Sequence, residues 1–418
     1  MKIHDRTHPK YWTYDCRSGN ISLIMRYLAA IALLTACSSA IQSSGRDAGA
    51  PLVRPDGLLG PRIDSVVSAA LVERKIPGAA VAVLRHDTLA YAAGYGVANL
   101  ATGARVTTET VFQIASMTKV FTAMAILMLV EEGKVALDDP AVRYLSWLPT
   151  KYSGITVRQL LTHTSGVNPD MRTANIDEME LVEFKRRLEA RPVSFPPGTN
   201  VQYANVGFIL LSLIVEKASG ENFGEFLHRR IFSPLGMRST GYRVPQQSDA
   251  RHARGYELVD GKPVEAPHVF SGWGNSGIET TVLDLARFAT ALERRALLHP
   301  TTYALMYTPG RLSNDSLPKF TSNGVPTLFG LAWFLQSYRG VELIDHGGAV
   351  AGFSSALNRF VPVGWTIIVL SNGKQGADRR AQADGIARVI ADVVLDRSGR
   401  GQAHNVDEHS FHCCLDRW

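Results

Sequence analysis

Residues 117–132 run almost without interruption through apolar side chains, close on Glu131-Glu132 and stop at Gly133. A stretch of this length and texture reads as a helix, and a helix apolar on every face has no side to show to water. It must lie inside a body with packed layers around it, and the glycine behind the acidic pair supplies its stop. This segment therefore demands a large core. A chain of 418 residues can build one. With 45% apolar and 20% charged residues, its composition is that of a globular protein.

The rest of the chain says what surrounds that helix. Residues 63–74 have helical spacing, and residues 79–84 and 88–95 read as two strands about the turn residues His86-Asp87. A short apolar stretch, 111–114, precedes the buried helix. Further helices are expected over 156–162, 177–190, 206–219, 223–231 and 282–292, punctuated by Pro192, Pro196, Pro197 and Pro234. After about residue 325 the pattern changes. Segments 329–334, 340–345, 353–360 and 366–370 read as successive antiparallel strands, and 381–395 closes with an apolar helical face. Strands at both ends flank a helical middle. The economical arrangement is an α/β domain over 61–396: one antiparallel sheet drawn from both ends, flanked by helices, with an inserted helical subdomain. A site belongs at the seam between the two. The polar, His-rich residues 397–418 read as a disordered or non-native tail.

Cysteine placement and the first residues bear on location. Cys16, Cys37, Cys413 and Cys414 leave the body between them with no internal disulfide and no cysteine metal site. Met25-Arg26 followed by the apolar run 27–36 has the make-up of a secretory signal, too short to span a bilayer as a stable helix. Leu34-Thr35-Ala36-Cys37 resembles the bacterial lipobox, whose cysteine becomes lipidated; an ordinary signal peptide with an incidental cysteine is the alternative. Either way the protein is expected outside the inner membrane, periplasmic or lipid-anchored through Cys37. Residues 1–24 fit poorly ahead of such a signal and read as an extension before a start at Met25, and residues 38–60 read as a flexible tether. The net charge of +6 comes without any basic stripe interleaved with aromatics, which argues against nucleic acid as a partner.

Three short motifs carry chemistry. Ser116-Met117-Thr118-Lys119 opens the buried helix. Serine and lysine three apart share a helix face, and a helix start favours developing negative charge. A desolvated lysine can lose its proton and take one from the serine. Two other Ser-x-x-Lys matches lack that helix: Pro318 interrupts Ser316–Lys319, and Asn372-Gly373 reads as a turn within Ser371–Lys374. Tyr203-Ala204-Asn205 follows the loop Pro196-Pro197-Gly198. A phenol can relay protons, and an amide can hold both the lysine and a substrate carbonyl. His346-Gly347-Gly348 follows the apolar Leu343-Ile344-Asp345, and its glycines let a substrate lie along a strand edge. The N–H of Ala349 can pair with that of Ser116 as an oxyanion hole. Taken singly, Tyr-x-Asn is common in loops and His-Gly-Gly is common at strand ends. The pair Asp138-Asp139 reads as a loop and cap feature rather than an acid/base dyad.

In combination and in this order, the three motifs resemble the penicillin-recognising serine hydrolases: class C β-lactamases, D,D-carboxypeptidases, D-aminopeptidases and related esterases. The intervening text resembles them too, as in Leu160-Leu161-Thr162-His163-Thr164-Ser165-Gly166, Phe195-Pro196-Pro197-Gly198, Pro234-Leu235-Gly236-Met237 and Gly352-Phe353. The resemblance covers roughly residues 60 to 395. It implies an α/β sandwich with a helical subdomain, Ser116 as nucleophile, Lys119 as base with Tyr203, and no metal or cofactor. It also implies that His163 belongs to a structural turn outside the catalytic set.

One departure shapes the expected substrate. Many β-lactamases and penicillin-binding proteins carry Lys-Thr-Gly or Lys-Ser-Gly as the third motif, where lysine and hydroxyl help bind a carboxylate. Gly347 has no hydroxyl, and His346 puts an imidazole, a side-chain type only partly charged near neutral pH, where those proteins have a lysine. Each lost charged hydrogen bond removes about 1.5–3 kcal/mol. Hydrolysis of a small ester or amide is therefore expected over efficient β-lactam cleavage. β-Lactamase, D,D-carboxypeptidase or D-aminopeptidase activity, with a peptidoglycan peptide as substrate, is the alternative. A non-catalytic cell-envelope binding protein is the reading from another class, and its mark would be a broken motif.

Overall fold

The apolar runs at both ends of the chain meet in one sheet. From the front come β1 (Gly78–Arg85), β2 (Thr88–Asn99) and β3 (Ala104–Arg105). Shorter strands follow: β4 (Phe112–Gln113), β5 (Gly241–Tyr242) and β8 (Ile278–Thr280) make a small sheet in the order β4-β8-β5, while β6 (Tyr256–Val259) and β7 (Lys262–Glu265) form a hairpin. From the back come β9 (Phe320–Ser322), β10 (Val325–Phe329), β11 (Phe334–Tyr338), β12 (Val341–Val350), β13 (Phe353–Phe360) and β14 (Trp365–Ser371). A last strand, β15 (Gly373–Lys374), joins the hairpin. The large sheet has nine strands in the order β3-β2-β1-β14-β13-β12-β11-β10-β9, and β1 pairs antiparallel with β14, Val81 opposite Val369. The two ends of the chain therefore close on each other at the centre of the sheet.

This computed structural model describes residues 59–169, 180–242, 249–269, 272–322, 324–374 and 382–396. The signal segment, Cys37, the residues before it and the tail from 397 lie outside the described residues.

Both faces of the central strands are covered, which is why they read as continuous apolar runs. Ala79, Val81 and Val83 of β1 face one core with Val369, Ala356 and Leu343. Helix α1 (Leu59–Glu73) and helix α9 (Ala383–Leu395) cover that side, laying Ile63, Val67, Ile386 and Ile390 onto it. Helix α1 begins at Leu59, inside the stretch read as tether. Ala80, Ala82 and Leu84 face the larger core. At its heart is α2 (Thr118–Glu131), with residues 118–129 all buried. Gly133 takes φ +67°, and its N–H and that of Lys134 close on Val130 and Leu129 carbonyls, a Schellman stop of the kind glycine favours.

Around α2 lie α3 (Val157–Leu161), α4 (Leu181–Ala190), α5 (Asn205–Ser219), α6 (Phe223–Leu227), α7 (Val282–Glu293) and α8 (Pro300–Tyr307). A π-helical turn over His228–Phe232 continues α6. Helix α8, absent from the sequence reading, starts with proline at its first position, where the missing N–H costs nothing.

One expected strand is corrected. Residues 329–334 form no single strand: β10 ends at Phe329, β11 begins at Phe334, and a turn closes between Gly330 N–H and the Trp333 carbonyl. A Cβ on Gly330 would stand 2.5 Å from the Met306 carbonyl, so the backbone approach to α8 requires glycine. Leu331 and Trp333 are buried in the larger core, which explains an apolar run that is not a strand.

Arg359 on β13 is 1% exposed; its guanidinium donates to Tyr307 Oη at 2.7 Å and to Glu293 Oε2 at 3.0 Å. Removing Glu293, itself partly exposed, leaves the buried Arg359 charge without its carboxylate. Glu293→Ala should cost about 3 kcal/mol of unfolding free energy in urea; a loss below about 0.5 kcal/mol would mean that the pair behaves like an exposed one.

Candidate active site

The nucleophile candidate sits on a strained turn rather than on the α-helix itself. Ile114 N–H donates to the Ile278 carbonyl at 3.0 Å and ties the chain to β8. Ala115 then takes φ +48°, an uncommon conformation for a residue with a side chain, and Ala115–Met117 form one 3-10 turn that leads into α2. Ser116, half-buried, is carried at the middle of this turn. The spacing places it at the opening of the helix; in the structure it stands on the turn, two residues ahead of the first residue of α2.

Lys119 is fully buried in the first turn of α2. Its Nζ donates to Ser116 Oγ at 2.9 Å, to Asn205 Oδ1 at 2.8 Å and to the Asn275 carbonyl at 2.7 Å. The three acceptors come from its own helix approach, from the first residue of α5 and from the loop before β8. Their convergence aims the nitrogen at the serine hydroxyl. The same nitrogen lies 5.1 Å from the centre of the Tyr203 ring.

Strand β12 forms the facing wall. His346 is 2% exposed, and its Nδ1 lies 2.7 Å from the Gly347 carbonyl, a contact that requires the proton on Nδ1. Gly348 presses against the nucleophile turn. A Cβ there would stand 2.1 Å from the Ile114 carbonyl and 2.8 Å from the Ser116 nitrogen. Ser355 on the neighbouring strand donates to that same Ile114 carbonyl at 2.8 Å. The turn is thus clamped between β8 on one side and β12 with β13 on the other.

A cleft of about 290 Å³ opens here, lined by Ser116, Tyr203, His346, Gly347, Gly348 and Ala349. Phe320, Phe334, Ser322, Ser355, Gln382 and Asp384 complete its wall. The structure brings the sequence-derived residues together with one division of labour: Lys119 and Asn205 are not among the lining residues and act on Ser116 from beneath. Asn205 Oδ1 is turned to Lys119, so the second task expected of this residue, holding a substrate carbonyl, would fall to its amide nitrogen. A larger cavity of about 470 Å³ is lined by Gln113, His252, His268 and Glu279. It does not include Ser116, and the convergent chemistry lies in the smaller one.

Several contributors escaped the sequence reading. Asn275 acts through a backbone carbonyl, which any residue type supplies. The Phe320 and Phe334 wall comes from strands more than 100 residues past Tyr203. His163, expected in a structural turn, does take φ +60°, but its ring also stacks on Tyr203 at 4.4 Å. The Asp138-Asp139 pair lies in a loop, as expected, but is not the cap: Pro140 precedes the 3-10 turn at 141–143, and Thr156 caps α3. Asp138 is gripped by Arg158 at 2.7 and 2.9 Å, and Asp139 by Tyr144 and Arg143. Those hydrogen bonds hold both carboxyls below their ordinary range, so neither is poised as an acid. Among the described residues no group of three or more His, Cys, Asp or Glu side chains is arranged to hold a metal ion.

A buried lysine on a serine hydroxyl, at the seam of an antiparallel sheet and a helical subdomain, is the arrangement of a serine acyl hydrolase. Comparison with known proteins narrows the class. The family described as Beta-lactamase matches residues 63–391, and the chain belongs to that family, whose members are serine hydrolases. It is 29% identical over 313 residues to Penicillin-binding protein 4* of Bacillus subtilis, a match covering 69% of this chain and 66% of that one. It is 30% identical over 342 residues to Unguisins hydrolase ungD' of Aspergillus campestris, covering 73% and 60%. The chain thus spans less than two thirds of the length of these relatives. The octameric penicillin-binding protein homologue from Pyrococcus abyssi superposes with a TM-score of 0.71 at 26% identity, over 82% of this chain and 78% of that one.

Proposed function

We propose that this protein hydrolyses esters or amides through a covalent acyl-enzyme on Ser116, with small apolar esters as the preferred substrates. The observation that carries the reading is the Lys119 Nζ, fully buried and 2.9 Å from Ser116 Oγ. To act as the base Lys119 is in its amine form, with its two protons on Asn205 Oδ1 and the Asn275 carbonyl and its lone pair towards Ser116 Oγ. It takes the serine proton as Oγ attacks the substrate carbonyl carbon. The developing oxyanion is received by the N–H groups of Ser116 and Ala349. The carbonyl re-forms, the bond to the leaving group breaks, and Tyr203 passes the proton to the departing oxygen or nitrogen. Water then attacks the acyl carbon while one of its protons passes through Tyr203 to Lys119; the bond between the acyl carbon and Oγ breaks, Oγ takes that proton back, and the acid leaves with Ser116 restored.

Substrate preference follows from the walls. Phe320 and Phe334 present aromatic surface to the acyl group. At the third motif, Gly347 offers no hydroxyl and His346 has its Nδ1 turned to the backbone, so the carboxylate of a β-lactam finds little to hold it. One relative bears a penicillin-binding name and another is a hydrolase of unguisins. β-Lactam or peptide-amide cleavage is accordingly the second reading. By the same inference the mature protein works in the cell envelope, anchored if Cys37 is lipidated.

The test is turnover of p-nitrophenyl butyrate, nitrocefin and a D-alanyl peptide. Butyrate kcat/KM is expected to exceed that for nitrocefin by at least about 100-fold, two lost charged contacts. Dominant nitrocefin or D-peptide turnover would overturn the ester preference. Peptidoglycan capture without turnover of any substrate would replace the enzyme reading with that of a binding protein.

A further inference from the structure

We propose that His163 is a positioning residue for Tyr203, fixing both the phenol ring and the backbone on either side of it. The inference rests on the proton-relay role proposed above for Tyr203. His163 is 2% exposed and is not among the residues lining the cleft, so it acts through the tyrosine rather than on a substrate. Its carbonyl accepts the N–H of Gln202 at 2.9 Å, and its Nδ1 accepts the N–H of Ala204 at 3.1 Å. The two backbone groups that bracket Tyr203 therefore end on one residue. Its ring stacks on the tyrosine at 4.4 Å with 29° between the planes, and is backed by Phe329 at 4.9 Å and Phe208 at 5.2 Å. The left-handed backbone at φ +60° lets one residue offer its carbonyl and its ring to the same partner.

The lock works only with a neutral imidazole. Accepting from Ala204 requires a lone pair on Nδ1 and places the proton on Nε2. A protonated ring would set a second N–H against that of Ala204. Burial, and then the charge of Lys119 whenever it is an ammonium, holds His163 well below its ordinary range. A turn residue alone explains the φ angle; it does not call for a ring on the tyrosine or a lone pair on the chain beside it.

His163→Asn separates these contributions. Asparagine tolerates the left-handed conformation and offers an oxygen to Ala204, but has no ring to stack. With p-nitrophenyl butyrate, kcat should fall about 10–100-fold while KM stays within about 2-fold. The alkaline limb of the kcat profile should move, and fluorophosphonate labelling of Ser116 should slow in step. Wild-type kcat and pH profile in a folded His163→Asn protein would overturn the proposal. Tyr203→Phe distinguishes failures. If it keeps full kcat, the relay role itself falls; if it loses activity while His163→Asn does not, only the positioning role falls. If His163→Asn does not fold, the ¹⁵N-histidine spectrum of the unaltered protein decides. A neutral ring protonated at Nε2 is expected from about pH 5.5 to 8, and an imidazolium in that range would overturn the inference.

Discussion

Ser116→Ala should lower kcat/KM for p-nitrophenyl butyrate by about 10⁴-fold or more while leaving the protein folded. Without Oγ no acyl bond can form, and Lys119 and the oxyanion N–H groups retain only a remnant of rate over water. The structural cost is small. Ser116 is half-buried, and Lys119 keeps Asn205 Oδ1 and the Asn275 carbonyl as acceptors. The loss is that of one ordinary hydrogen bond, about 1 kcal/mol. Two readouts check this. Intact mass after a fluorophosphonate should rise by one adduct in the parent protein and not in the variant, and the urea midpoints should nearly coincide. An adduct on the variant would move the nucleophile elsewhere. An inactive variant with a collapsed urea midpoint would say nothing for catalysis, which is why the two are measured together.

Gly348→Ala should be almost as damaging although it removes no functional group. The added methyl would stand 2.1 Å from the Ile114 carbonyl and 2.8 Å from the Ser116 nitrogen. Both are backbone atoms, and both belong to the turn that holds the nucleophile, so no side chain can swing aside. The turn and β12 must part, and they bring the two N–H groups of the oxyanion hole with them. Activity should fall at least about 100-fold, the usual result of a displacement near 1 Å. Overpacking should cost about 1–3 kcal/mol. Gly154→Ala is the matched control: nothing lies within 4 Å of its added methyl, and activity should be unchanged. Full activity in Gly348→Ala would mean that the strand does not bear on the nucleophile turn.

Much of the architecture was legible because it is written in local periodicity. The apolar run at 117–132 could only be a central helix, and the strands of 79–84, 353–360 and 366–370 appear within a residue or so of their expected ends. The stretch 329–334 misled for a physical reason. Its apolar residues face a helical core from a turn, and an apolar run of six cannot say whether it is extended. The Ser116–Lys119 spacing also determined a contact, because three residues of helical backbone place two side chains together whatever surrounds them.

What the sequence determined by itself, then, were the long apolar elements, the order of the three motifs and the reactive side chains. Tertiary structure alone decided how those chains are aimed. The Asn275 carbonyl on Lys119, the Gly348 backbone against Ser116 and the His163 ring under Tyr203 all join segments distant along the chain. Two of the three act through groups that every residue type carries or through the absence of a side chain. Such contacts have no sequence pattern, since they follow from how closely two backbones approach once the sheet has closed.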